Sequence, residues 1–189
     1  MIKKFERAWT KKEWCKSILF FLLHFIIFIG FAATVLLYDK FSNIQAYMKE
    51  HGADYLYALF SIFLIAAITY LYFLFEDKEM IANGTNISLL FTVLDVYFLF
   101  AWFMGEKVNL YARPVALVAL LMFVLVGRRD AIFMTIVSSL LMFVVDTFTG
   151  PGSVMKTDIA DSSSNFSLMR EYYSSLIISF SAGMFAIFL

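Results

Sequence analysis

Few residues in this chain of 189 amino acids have types and spacings that could do chemistry. The sharpest is Asp95. It stands alone as a charge inside the apolar run Ile87–Met104. An ionisable group at mid-membrane costs about 2.5–3.5 kcal/mol on insertion scales, so it is usually there for a reason. It suits a proton or ion relay, or a polar ligand site between helices. The plainer reading is an interhelical hydrogen bond with the carboxyl protonated. No second mid-membrane charge marks a pathway beside it. His24, inside another apolar run, is expected as a packed or interfacial histidine.

Arg113 and Asp146 are the second candidate. They bracket the apolar runs Val115–Val126 and Ala131–Val145, which face each other across Gly127-Arg128-Arg129-Asp130. So short a connection makes the two runs antiparallel neighbours. Arg113 and Asp146 then lie at similar depth near the outer surface, where they can pair or snorkel separately. Pro114 fits a first helical turn, where it gives up no hydrogen bond. Arg128-Arg129 suits a topology anchor or an anionic-lipid contact.

The absences exclude more. The two histidines, His24 and His51, are not followed by Asp, and no carboxylate–histidine cluster is set to hold a catalytic metal. There is no glycine-rich phosphate loop and no Ser or Cys nucleophile with a plausible base. No catalytic, cofactor-binding or metal residue is therefore expected in this chain. The lone Cys15 excludes an internal disulfide; it is a free thiol or a juxtamembrane lipidation site. The net charge of zero removes any case for a nucleic-acid surface. Three Asn-x-Ser/Thr patterns, at Asn83, Asn86 and Asn165, arise easily by chance, and the first two are expected on the cytoplasmic side.

These residues must be positioned by membrane helices. The chain is 62% hydrophobic with a mean hydropathy of +0.81, against about 45–50% apolar for soluble domains. Its apolar residues come in continuous runs near the roughly 20 residues a helix needs to cross a bilayer, not in alternation, so helices are expected rather than a barrel. The expected fold is an all-α polytopic membrane protein with six transmembrane helices. Residues 1–16 form a basic cytoplasmic N-terminus. Residues 17–38 form the leading span, too long for a cleaved signal sequence. Residues 39–54 form a short outer segment. Residues 55–189 form a multi-helix domain with spans at 55–75, 87–104, 111–126, 131–148 and 174–189.

Charge orients this layout. The inner segments hold nine Lys or Arg, six of them in the first 16 residues, and the outer segments hold six. The N-terminus is thus expected inside. Residues 150–173, with Gly-Pro-Gly and Ser162-Ser163-Ser164, form an expected outer polar loop. Ser179 and Gly183 make a small-xxx-small pattern that permits close helix packing. The last run stops at Leu189 in mid-apolar sequence with no charge, Trp or Tyr to anchor it. The chain is therefore expected to be a fragment, with more membrane helix following.

The stretch Tyr111–Phe143 resembles the membrane domain of the seven-transmembrane HD phosphohydrolases. The shared features are a Tyr-x-x-Pro-Val-Ala opening (Tyr111, Pro114, Val115, Ala116) and a Leu/Met-rich helix (Leu117–Val126). A short Arg-containing turn (Gly127–Asp130) and a Thr-x-Val-x-Ser-Leu helix (Thr135, Val137, Ser139, Leu140) complete them. The pattern covers about 35 residues, and the flanking spans fit loosely. In that bacterial family a membrane domain precedes a cytoplasmic HD domain, and characterised members hydrolyse cyclic di-AMP. The resemblance implies a multi-pass protein of the bacterial inner membrane, with its N-terminus in the cytoplasm. It also implies a sensor or anchor role, with the divalent metal and the catalytic residues in an HD domain absent here. Two departures stand out: residues 39–54 replace a large extracellular domain, and no position here matches an HD metal ligand. Beside the lipid bilayer, a second copy is a possible partner. Two other roles fit the same residues: a small transporter or channel subunit using Asp95, and a structural membrane partner of a larger complex.

Overall fold

The computed structural model describes residues 10–149 and 162–189, and every regular element among them is helical. The basic residues Lys3, Lys4 and Arg7 and the Gly-Pro-Gly segment lie outside the described residues. Helix α1 spans Lys11–Leu37. It starts before Ser17 because Thr10 and Glu13 form a capping box. The Thr10 hydroxyl accepts from the Glu13 N–H at 3.3 Å, and the Glu13 carboxylate accepts from the Thr10 N–H at 2.8 Å.

Helix α2 spans Ile44–Glu76, entered through a 3₁₀ segment at Tyr38–Asn43. The expected outer segment 39–54 is therefore largely helix. No proline interrupts 44–54, and residues such as Ala46, Met48 and Lys49 favour helix, so the polar sequence winds into α2 rather than looping. The short α3 (Lys78–Ala82) follows, its first turn capped by Asp77. Asn83 caps α4 (Gly84–Lys107) by accepting from the Thr85 N–H at 3.1 Å.

Helix α5 is Val115–Leu125, α6 is Arg128–Thr149 and α7 is Ser162–Phe188. The turn between α5 and α6 is shorter than expected. Arg128, Arg129 and Asp130 form the first turn of α6, and the chain reverses at Val126-Gly127. Gly127 has φ 153°, a backbone conformation that favours glycine. Its N–H caps the Met122 carbonyl at 3.1 Å.

Among the described residues, four stretches are long and apolar enough to cross a membrane: Lys11–Leu37, Lys40–Glu76, Gly84–Gly105 and Arg128–Phe148. Two of the six expected spans fall outside that class. The run 111–126 is interrupted at Arg113-Pro114, leaving α5 with 11 residues, about half of the ~30 Å core at 1.5 Å per residue. The run 174–189 is only the apolar half of α7, whose earlier residues are polar.

Helices α5, α6 and α7 pack on one another as a triplet, α2 runs along α6, and α1 lies against α4. Aromatic contacts show that α2 and α6 are antiparallel: Tyr57 meets Phe148 at 6.2 Å, and Tyr72 stacks on Phe133 at 3.7 Å. Ser175 of α7 donates to the Leu110 carbonyl at 3.0 Å, while Ser179 is buried on the same face. A Cβ on Gly183 would collide with Thr135 of α6 and crowd Val115 of α5. The small residues of α7 thus set its close approach to the hairpin. Outside this core, large apolar side chains such as Leu19, Ile26, Leu56 and Phe60 are exposed. A lipid environment would cover them without strain.

Candidate functional site

Arg113 and Asp146 meet. The guanidinium grips the carboxylate at two points, Nη1 to Oδ2 at 2.5 Å and Nη2 to Oδ1 at 2.6 Å. Their side chains are only 5% and 11% exposed, so the pair is nearly removed from solvent. The local sequence explains how Arg113 arrives there. Asn109 caps a 3₁₀ turn at Leu110–Ala112 by accepting from the Tyr111 N–H at 2.9 Å. Proline at 114 disfavours helix at the preceding residue, and Arg113 is extended, with φ −66° and ψ 133°. From that position its side chain crosses to the end of α6.

Gly105 of α4 supplies the room. A Cβ there would lie 2.8 Å from Nη2 and 3.1 Å from Nε of Arg113. Arg113 Nε itself has no hydrogen-bond partner, although it is buried. Nearby on the α6-facing side of α4, Tyr97 is fully buried and donates to the Ser138 carbonyl at 3.2 Å. The arrangement ties α4, α5 and α6 together at the end opposite the Gly127 turn. Chemically it is a closed pair: the carboxylate is occupied by the guanidinium and offers no general base to a substrate.

Asp95 lies apart from that pair. It is half-buried on α4, and its Oδ1 is buried without a hydrogen-bond partner. His24 of α1 approaches this part of α4, its ring stacked on Phe91, one turn before Asp95. The His24 ring lies against Phe20 at 6.0 Å and Phe91 at 5.9 Å, and its Nδ1 sits 2.9 Å from the Phe20 carbonyl. The sequence marks each of the two residues separately. Their proximity depends on α1 packing against α4, and no local pattern carries that. Gly105 and Tyr97 were missed for the same reason.

The hairpin tip is engaged rather than free. Arg129 pairs with Glu76 at 2.5 Å and donates to the Glu76 carbonyl at 2.8 Å, capping the end of α2. Arg128 lies over the Phe188 ring at 4.3 Å. Asp130 accepts a hydrogen bond from the Tyr72 hydroxyl at 3.0 Å. Among the described residues, no group of three or more His, Cys, Asp or Glu could hold a metal ion. The hollows between helices α1, α2, α4 and α6 are lined almost wholly by apolar side chains. No family model matches the chain, and no curated protein or solved structure matches it.

Proposed function

We propose that this chain is the membrane sensor or anchor region of a bacterial phosphohydrolase of the HD type, acting on a cyclic dinucleotide. The observation that carries the proposal is the unit built by Tyr111–Phe143, the stretch that bears the resemblance. It folds as one hairpin: a 3₁₀ turn, the Arg113-Pro114 break, α5, the Gly127 turn and α6. One end is closed by Arg113–Asp146 and the other is tied to α2 through Arg129–Glu76. Such a scaffold suits transmission of a shift between helices better than catalysis. The described residues do not fit a catalytic divalent metal, and no reaction step is assigned to them.

In this proposal the protein lies in the bacterial inner membrane with its N-terminus inside. The four longer stretches give four crossings; the proposal adds two short ones, the Leu110–Leu125 run with its Arg113-Pro114 break and the apolar half of α7. The bias of nine inner to six outer basic residues supports that orientation. The test of function is to read the source DNA beyond codon 189. Further apolar helices followed by His-Asp metal-ligand motifs are expected, and a stop codon directly after Leu189 would overturn the proposal. Topology is tested separately, by alkaline phosphatase and green fluorescent protein fusions at Asn109 and Glu79. The phosphatase should be active only at Asn109 and the fluorophore bright only at Glu79.

A transporter or channel subunit is the second reading, favoured by one observation: His24 of α1 stacks on Phe91, one turn from Asp95 on α4. Proton- or ion-coupled uptake that is lost in Asp95→Asn would support it. Unchanged flux would sink it.

A further inference from the structure

Helices α1 and α2 are held apart over a short distance by two pairs of aromatic rings. Phe21 meets Tyr70 edge-on at 4.9 Å, and further along Phe25 meets Phe63 at 6.0 Å. Between those props α2 presents Ala66 and Ala67, which have too little bulk to fill the gap. A hollow of about 160 Å³ results, lined also by Ile18 and Leu22 of α1 and open to one side. Its inner wall is fixed by polar bonds. The buried Ser17 hydroxyl donates to the Ile81 carbonyl at 2.8 Å and lies 3.1 Å from the Tyr70 hydroxyl.

The hollow is too narrow for a helix, whose diameter with side chains is about 10–12 Å. It is wide enough for hydrocarbon, since an apolar cavity of about 150 Å³ stays dry and takes up benzene. Cations lie on α1 before the hollow begins. Lys11 lies two helical turns before Ile18 and on the same side of α1, with Lys12 beside it and Trp14 between; all three are exposed. Two turns are about 10 Å of rise, more than the roughly 5–8 Å headgroup layer on each side, so Lys11 stands at headgroup level when Ile18 lies inside the hydrocarbon. Glu13, the one acidic group in this turn, is committed to the Thr10 cap.

We infer that the α1–α2 hollow is a binding site for one acyl chain of an anionic phospholipid, whose phosphate is met by Lys11 and Lys12. The hollow is formed before the lipid arrives, because the aromatic props and the Ser17 bonds hold its walls. The chain displaces no ordered polar contact, and the lysines select the headgroup by charge. The inference rests on the membrane placement proposed above, and not on any catalytic partner.

The test uses the whole chain in mild detergent, equilibrated with equal amounts of phosphatidylglycerol and phosphatidylcholine and examined by native mass spectrometry. One phosphatidylglycerol retained per chain is expected. Ala67→Trp should abolish retention by filling the hollow. Lys11→Gln and Lys12→Gln, both at exposed positions, should each lower the preference over phosphatidylcholine roughly five-fold. Equal retention of both lipids, no retention, or retention unchanged in Ala67→Trp would overturn the inference. Extraction of the chain by alkaline carbonate would instead overturn the membrane placement itself.

Discussion

Arg113 and Asp146, 33 residues apart in sequence, meet in a two-point guanidinium–carboxylate pair that closes the α5–α6 hairpin opposite its glycine turn. The pair is nearly buried. Its net worth is therefore small, because desolvation of both charges offsets their attraction. Removing one partner is a different matter, since it leaves the other charge buried alone.

Arg113→Leu and Asp146→Leu should each destabilise the protein by about 3–5 kcal/mol, while the double variant should come back close to the parent. Unfolding of the four proteins in the same detergent micelle gives the complete double-mutant cycle. Two single losses that simply add in the double variant would mean that the two residues act independently, and the hairpin would need another lock.

The slot beside the pair gives a second expectation. In Gly105→Ala the new methyl would stand 2.8 Å from Arg113 Nη2, and the guanidinium cannot swing away without breaking its bonds to Asp146. A loss of about 1–3 kcal/mol is expected. Gly30 is the control. It also sits inside a helix, but a Cβ there meets nothing within 4 Å, so Gly30→Ala should be stabilising by up to about 1 kcal/mol. If both changes behave alike in thermal unfolding, helix propensity governs Gly105 and the slot has no role.

At the other end of the hairpin, α2 is tied to α6 by a bond and a stack on one side chain. Tyr72 donates to Asp130 at 3.0 Å while its ring lies on Phe133 at 3.7 Å. Tyr72→Phe keeps the stack and removes the bond. A loss of about 1.5–3 kcal/mol is expected, the range for a hydrogen bond to a charged group. Amide exchange should quicken in the last turn of α2, near Phe73–Glu76, and stay unchanged around Arg113. Uniform quickening over the whole chain would show a global loss of stability instead of a local release.

Local features of the sequence explain how much of this could be foreseen. The hairpin was legible because Arg-Pro and Gly-Arg-Arg-Asp bound two apolar runs with too few residues between them to do anything but reverse. The early start of α1 was also written in the chain. Thr10-x-x-Glu13 is a capping-box pattern, and apolar content alone passed over it. The reach of α2 back to Ile44 was hidden by its polar residues, which suggest a loop although nothing there breaks a helix. The length of α5 was misjudged because Tyr111 and Ala112 are apolar, whereas Pro114 decides where the helix begins. His24 beside Asp95, and Gly105 beside Arg113, required knowledge of which helices touch. Helices this apolar on most of their faces do not announce a partner through periodicity.

Asp95 gives the experiment that best separates the two functional readings. Its Oδ1 is buried without a partner, so the carboxylate is a burden on the fold unless it has a task. In a scaffold, Asp95→Leu relieves that burden and should stabilise the protein by about 1–3 kcal/mol. His24→Phe should then be close to neutral, since the ring already packs between Phe20 and Phe91. In a transporter, the same Asp95→Leu change raises stability and also abolishes coupled flux, and His24→Phe slows it. Thermal midpoints and proteoliposome flux measured on the same preparations therefore answer together. Higher stability with parental flux no greater than that of empty vesicles fits the sensor or anchor. Higher stability with parental flux lost in the variant gives Asp95 a task in transport. A fall in stability on Asp95→Leu would contradict both, because the carboxylate would then be making a bond that holds α1 to α4.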